Sequence, residues 1–192
     1  MYGVLPFAGG TRRVEFPLAP FMGVMGVAPA ANDKVQVPPG DHGGNIDVNL
    51  LTAGASLYLP VQVDGALFHV GDPHYAQGDG EVALTAMEAS LRGTFRLSIL
   101  RGDEARAATG LLTAPFIETD EAWVPVGLDA DLNEAMKKAV RNAITFLERT
   151  QGMERHIALA CLSAAADFEV SQVVDAVKGV HCVIRKRDFP TW

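Results

Sequence analysis

The run Gly71-Asp72-Pro73-His74-Tyr75-Ala76-Gln77-Gly78-Asp79-Gly80-Glu81 limits what this chain can become more than any other stretch. It places three carboxylates, an imidazole and an amide within eleven residues, with three glycines and a proline between them. A segment so polar and so poor in side-chain volume does not pack as core. A second segment of the same kind, Gly40-Asp41-His42-Gly43-Gly44-Asn45-Ile46-Asp47, precedes it. Both need apolar strands around them, so the pair implies a polar site carried on loops over a β scaffold.

The scaffold follows from hydrophobic patterning. Gly23 to Ala28 is a short apolar run of small residues, expected as a buried strand with close backbone approach. Val14 to Phe21 is extended, and Pro38 to Asn45 is loop. Ser56 to Val63 reads as a strand that Pro60 sets at an edge or a bulge, and Ala66 to Val70 as another. Glu81 to Glu88 follows, with Val82, Leu84 and Ala86 on one face. Thr94 to Leu100 alternates most cleanly, with Phe95, Leu97 and Ile99 inward, as a half-buried antiparallel strand does. Leu111 to Ile117 and Ala122 to Val126 are further strands.

Helical periodicity starts late. Asp131 and Glu134 fit a capping box, and apolar residues from Leu132 to Leu147 recur at helix spacing up to about Arg149, before Gly152. Ile157 to Leu162 reads as a strand. Ser171 to Lys178 reads as a short helix, with Asp167 and Glu169 serving its start and Gly179 its stop. Val180 to Arg185 is a last strand. The expected fold is α+β, mainly antiparallel: a β-sandwich-like body with a small helix-and-strand C-terminal part. Residues 1–15 are expected to be a loose N-terminal arm and 16–192 a single domain, β-rich over 16–127 and α/β over 128–192.

Composition narrows the partners. A formal charge of −7 argues against a nucleic-acid backbone, and Arg185-Lys186-Arg187 is a solvated chain end. No apolar stretch is long enough to span a membrane, and the first residues lack the order of a signal peptide. Cys161 and Cys182 sit in apolar surroundings, as reduced thiols of a cytoplasmic protein do. Neither a GxGxxG nor a GxxxxGK run is present, and Ser163 lacks a GxSxG context.

The polar clusters carry donors for a hard or borderline metal ion. In extended chain alternate residues share a face, so Asp72 and His74 form one pair of candidates and Asp79 and Glu81 another. A divalent ion relieves the repulsion between such carboxylates, and zinc or a six-coordinate ion such as calcium suits the set. His42 or Asp47 would reach across from the earlier loop. The plainer alternative is an acidic turn that caps its own backbone, with Asn45 and Asp47 in an Asx turn and His42 in a solvated loop.

These same segments resemble the acetamidase/formamidase family. The likeness rests on Gly43-Gly44-Asn45-Ile46-Asp47, Leu57-Tyr58-Leu59-Pro60-Val61, Gly65-Ala66-Leu67-Phe68, the Gly71 to Glu81 run, Pro20 to Pro29 and Leu162 to Asp175. It extends over the chain from about Phe16 onward. The resemblance implies hydrolysis of the C–N bond of short linear amides such as formamide or acetamide, in a cytoplasmic, oligomeric, β-rich protein associated with metal ions. It carries over Asn45, Asp47, Asp72, His74, Gln77, Asp79 and Glu81 as site residues. In the resulting scheme His74, with Asp72 or Asp47 and with His42 as a further candidate, holds the metal. Glu81 or Asp79 is the general base, and Asn45 and Gln77 orient the amide. Family members also carry a longer portion before the Phe21 to Pro29 segment. Its absence here implies either a second chain that supplies it or a homo-oligomer that covers the open face. A non-catalytic subunit or a small-molecule-binding scaffold is the alternative function.

Overall fold

The computed structural model describes residues 1–30 and 38–190. The chain opens with a hairpin of β1 (Tyr2–Phe7) and β2 (Arg12–Pro17). A four-stranded sheet follows, in the order β4-β3-β6-β7, from β3 (Phe21–Gly26), β4 (Gly43–Asn45), β6 (His69–Ala76) and β7 (Met87–Glu88). A five-stranded sheet has the order β10-β11-β9-β8-β5, from β5 (Ser56–Tyr58), β8 (Phe116–Glu118), β9 (Ala122–Asp129), β10 (Asp167–Gln172) and β11 (Lys178–Arg185). All pairs within these sheets are antiparallel. The helices are α1 (Gly102–Thr109), α2 (Leu132–Gln151) and α3 (Arg155–Ala165). This is the expected α+β fold dominated by antiparallel strands.

Three layers result. Phe21, Met25, Ile46 and Val48 meet Ile117, Val124 and Val126 between the two sheets. On its other side the five-stranded sheet buries Phe116, Cys182 and Ile184 against Phe146, Leu147, Ala158 and Leu162 of the helices. Asp131 caps α2 by accepting from the amides of Asn133 and Glu134, and Gly152 ends it in the left-handed conformation. Alanines 135, 139 and 143 give α2 a thin buried face. Gly127 in β9 lets that face approach, since a Cβ there would strike the backbone of Ala135 and Ala139.

Several expectations are corrected. The segment read as a loose arm is a hairpin, tied to the body by the Ala19 amide on the Tyr75 carbonyl (2.9 Å). The strand from Ser56 stops at Tyr58, short of Pro60, at the edge of its sheet. Residues 81–86 are irregular, and only Met87–Glu88 pair. Thr94 to Leu100 forms no strand, and Phe95, Leu97 and Ile99 are 41%, 66% and 60% exposed. Its alternation is real, but among the described residues no strand lies beside it to complete a ladder. Gly102–Thr109 is a helix the pattern did not announce. Ile157 to Leu162 belongs to α3, because the alanines around it favour helix and a short apolar run has no decisive period. Ser171 to Lys178 is not helical. The β-branched Val173, Val174 and Val177 resist it, and buried Gln172 builds a turn instead, accepting from the Val174 and Asp175 amides (2.9 and 3.2 Å). Asp167 and Glu169 therefore lie in β10.

Candidate metal centre

The centre forms where β3 and β6 run side by side. Phe21 pairs with His74 and Val24 with Gly71, which puts Gly23 across from Asp72. A Cβ on Gly23 would collide with Asp47 Oδ1 and come within 2.8 Å of Asp72 Oδ2 and 2.9 Å of His74 Cε1. Only glycine leaves room for these three side chains to meet over the strand. Asp72 and His74 are strand residues, so this part of the site stands on the sheet and not on a loop.

The tautomer of His74 follows from its neighbours. Gln77 Nε2 donates to the carbonyls of Asp47 (2.7 Å) and Ser171 (3.2 Å), which turns Gln77 Oε1 towards His74 Nδ1 at 2.9 Å. Nδ1 therefore carries hydrogen and donates. Nε2 then faces Asp72 Oδ2 at 3.1 Å, Glu81 Oε1 at 3.9 Å and Glu88 Oε1 at 4.0 Å. A lone pair aimed at three anionic oxygens is unfavourable unless a proton or a cation stands between them. His74 is wholly buried, with Phe21 edge-on to its ring at 5.0 Å.

Around this imidazole the donor atoms fall into three linked groups: Asp47 with Asp72 and His74, His74 with Glu81 and Glu88, and Asp47 with Glu81 and Asp175. Within each group the atoms lie within 4.8 Å of one another. Burial, together with the neighbouring Asp175 and Glu81 carboxyls, pushes Asp47 up to about 10. Burial raises Glu81 as well, against the opposing pull of Asp47 and His74. The backbone is strained in the same places. Asp47, Asp72 and Glu81 have φ of 44°, 54° and 40°, each costing on the order of 1 kcal/mol. Each of these three strained acids contributes a donor atom to one or more of the linked groups.

The remaining candidates lie apart. Asp79 and Glu81 do not share a face, because Gly80 (φ 94°) turns the chain between them. Asp79 accepts from Asn49 Nδ2 (3.0 Å) and belongs with Glu169 and His181, whose Nε2 stands 3.2 Å from Glu169 Oε2. His42 is buried beside Gly40 and Gly44, where burial and the nearby His69 push its imidazole below the ordinary value, and it joins none of the donor groups. Asn45 lies in β4 with Oδ1 buried and unpartnered. A cleft of about 490 Å³ has Asn49 and Gln77 in its wall, and none of the donor residues of the centre lines it. Sequence reasoning missed Glu88 and Asp175. Glu88 looked like the end of a strand. Asp175 looked like one acid in a helix, and only the Gln172 turn brings it to the centre.

The fold and the centre together define an α+β sandwich with a carboxylate–imidazole cluster suited to a divalent ion. The Acetamidase/Formamidase family model matches residues 30–185. The chain belongs to this family. It is 49% identical over 53 residues to a formamidase from Methylophilus methylotrophus, which is 28% of this chain and 13% of that protein. It is 47% identical over 53 residues to an acetamidase from Mycolicibacterium smegmatis, 27% of this chain and 13% of that one. Among solved structures, the acetamidase from Bacillus halodurans superposes with a TM-score of 0.73 at 30% identity, over 92% of this chain and 57% of the other. The acetamidase from Yersinia enterocolitica gives 0.79 at 27% identity, over 95% and 53%. The chain thus spans little more than half the length of these structures.

Proposed function

We propose that this protein hydrolyses the C–N bond of short linear amides, of the formamide or acetamide kind, to carboxylate and ammonia at the His74 centre. One observation carries the reading: His74 Nε2, freed by the Gln77 hydrogen bond, faces three carboxylates across a gap that a divalent ion fits. His74, Asp72 and Asp47 would hold the ion, with zinc favoured by the imidazole and calcium by the oxygens. Such an ion supplies carbonyl polarisation and a more acidic water. Glu81, 3.9 Å from the imidazole and raised by burial, would act as general base toward the attacking water and then protonate the departing amine. Asp79 is the weaker base candidate, since it belongs to another group. Gln77 holds the imidazole; both of its Nε2 hydrogens go to the Asp47 and Ser171 carbonyls, so it acts on the amide through the imidazole it orients. Asn45, with a buried unpartnered oxygen, is the candidate for orienting the amide directly.

No helix of the described residues is long and apolar enough to cross a membrane. We place the protein in the cytoplasm, where free Cys161 and Cys182 stay reduced, as a homo-oligomer or with a second chain over its exposed apolar residues. Ammonia release from formamide and acetamide tests the activity, with chelated and metal-reconstituted protein. Turnover should need the ion and fall about 10²- to 10⁴-fold in Glu81→Gln. Metal-loaded protein that releases no ammonia would overturn it. The second reading, a non-catalytic subunit or binding scaffold that copurifies with another chain, would then take its place.

A further inference from the structure

We propose that Ser171 and His181 are positioning residues for the His74 centre: joined to each other between β10 and β11, they hold the Ser171 carbonyl that fixes the Gln77 amide, and through that amide the His74 imidazole. Their role rests on the proposed function only in taking His74 as its working group. β10 and β11 pair Val170 with Val180 and Gln172 with Gly179, which leaves Ser171 as the extra residue of a β-bulge. A bulged residue is not held by the ladder, so its own side chain has to hold it. Ser171 Oγ lies 2.8 Å from His181 Nδ1, and the two residues are 1% and 0% exposed. Glu169 Oε2 stands 3.2 Å from the Nε2 of the same ring. That anionic oxygen needs a donor, so Nε2 carries the hydrogen and Nδ1 accepts from the Ser171 hydroxyl. Burial pushes the imidazole below its ordinary value, against Asp79 and Glu169, and so favours the neutral ring this arrangement requires.

The Ser171 carbonyl lies on the outer edge of β10, where Gly80 bridges Gln172. It accepts from the Gly80 amide (3.1 Å) and from Gln77 Nε2 (3.2 Å). Gln77 Nε2 gives its other hydrogen to the Asp47 carbonyl (2.7 Å), which leaves Oε1 for His74 Nδ1 at 2.9 Å. A Gln77 amide turned over would set Oε1 against both carbonyls, and two carbonyls oppose the turn more strongly than one. The turn would also bring Nε2–H of Gln77 to His74 Nδ1 and drive the hydrogen of the imidazole to its other nitrogen, on the Asp72 side. Without the Ser171–His181 bond the bulge is free to shift its carbonyl. The effect then reaches His74, although His181 shares no donor group with it.

The test reads the ring protons of the histidines by proton–nitrogen correlation spectra of the labelled, metal-free full chain. In the wild type His74 should keep a slowly exchanging hydrogen on Nδ1. Ser171→Ala should raise its exchange rate about tenfold, the effect of one lost hydrogen bond. Ser171→Thr, which keeps a hydroxyl, should restore slow exchange. His181→Gln, the second disruption, should behave as Ser171→Ala does. The amide spectrum of α2, packed on Val180 of β11, guards against misfolding: a general loss of structure moves it, and a turned Gln77 amide does not. A wild type with no hydrogen on His74 Nδ1 would overturn the positioning role. So would wild-type exchange in folded Ser171→Ala or His181→Gln protein, or fast exchange that threonine fails to restore. Ammonia release from acetamide by metal-loaded protein separates this role from the activity. The expected ring protons without any release would sink the proposed function alone. Release by the wild type, with unchanged His74 exchange in Ser171→Ala, would sink the positioning role alone.

Discussion

A methyl group added at Gly23 would have to displace Asp47, Asp72 or His74, and none of them is the loose end of a flexible chain. Gly23→Ala should therefore lose divalent-ion binding and about 1–3 kcal/mol of stability, by metal content and denaturant unfolding. Wild-type metal content in that variant would show that the three groups do not meet over Gly23. Asp47 gives a pH dependence. Its folded carboxyl sits at about 10, against about 3.9 in the unfolded chain. The folded metal-free protein thus holds a proton that the unfolded chain gives up. This contribution is fully present below about pH 4 and is lost as the pH rises towards 10. Metal-free protein should melt lower at pH 8.5 than at pH 5.5, and Asp47→Asn should flatten the difference. A melting temperature that rises over this range in the wild type and is unmoved by the variant would refute the assignment. Both residues show what was readable beforehand. The residue types of the centre stood out in the Gly43 to Asp47 and Gly71 to Glu81 runs. Their grouping did not, because it depends on the left-handed turns at Asp47, Asp72 and Glu81, a conformation that a sequence signals clearly only where glycine stands.

Elements were legible where one local signal was strong. Helix α2 declares itself through its Asp131 cap, its apolar period and Gly152. Asp131→Ala should cost about 1 kcal/mol in thermal unfolding. The contact of α2 with β9 is stricter, since Gly127 faces the backbone of Ala135 and Ala139, which cannot rotate away. Gly127→Ala should cost about 3 kcal/mol, the upper end for overpacking, and a neutral outcome would mean that helix and sheet separate freely. The misread elements share a different cause. Ile157 to Leu162, expected as a strand, and Ser171 to Lys178, expected as a helix, are short runs whose period is ambiguous, and packing against a neighbouring element decides them: α2 for Leu162, β11 for Glu169. Gln172 is the clearest case. A buried glutamine reads as a mild helix former, yet here its amide ties Val174, Asp175 and Val177 into the turn that delivers an acid to the centre.

At the scale of the whole molecule, the two sheets and their helical layer account for the buried core but leave Thr94 to Leu100 without a paired strand among the described residues. That segment has the period of a strand buried on one face, and Leu97 and Ile99 are nevertheless 66% and 60% exposed. Phe95 meets Phe68, at 6.1 Å between ring centroids. Tyr2, Leu5, Val82 and Leu84 are also more than half exposed. An alternating segment with no strand paired to it among the described residues is what strand addition from another chain requires, the ladder giving affinity and the alternate side chains specificity. The protein should therefore associate through this segment, by light scattering after size exclusion, at a mass above that of one chain. Leu97→Glu with Ile99→Glu should shift it towards the monomer without lowering the stability of the fold by more than about 0.5 kcal/mol, because surface substitutions touch no core. Amides 94–100 should exchange slowly in the assembly and fast in the variant, a difference that general stickiness would not produce. A monomeric wild type with fast exchange across 94–100 would mean that the pattern is carried without being used.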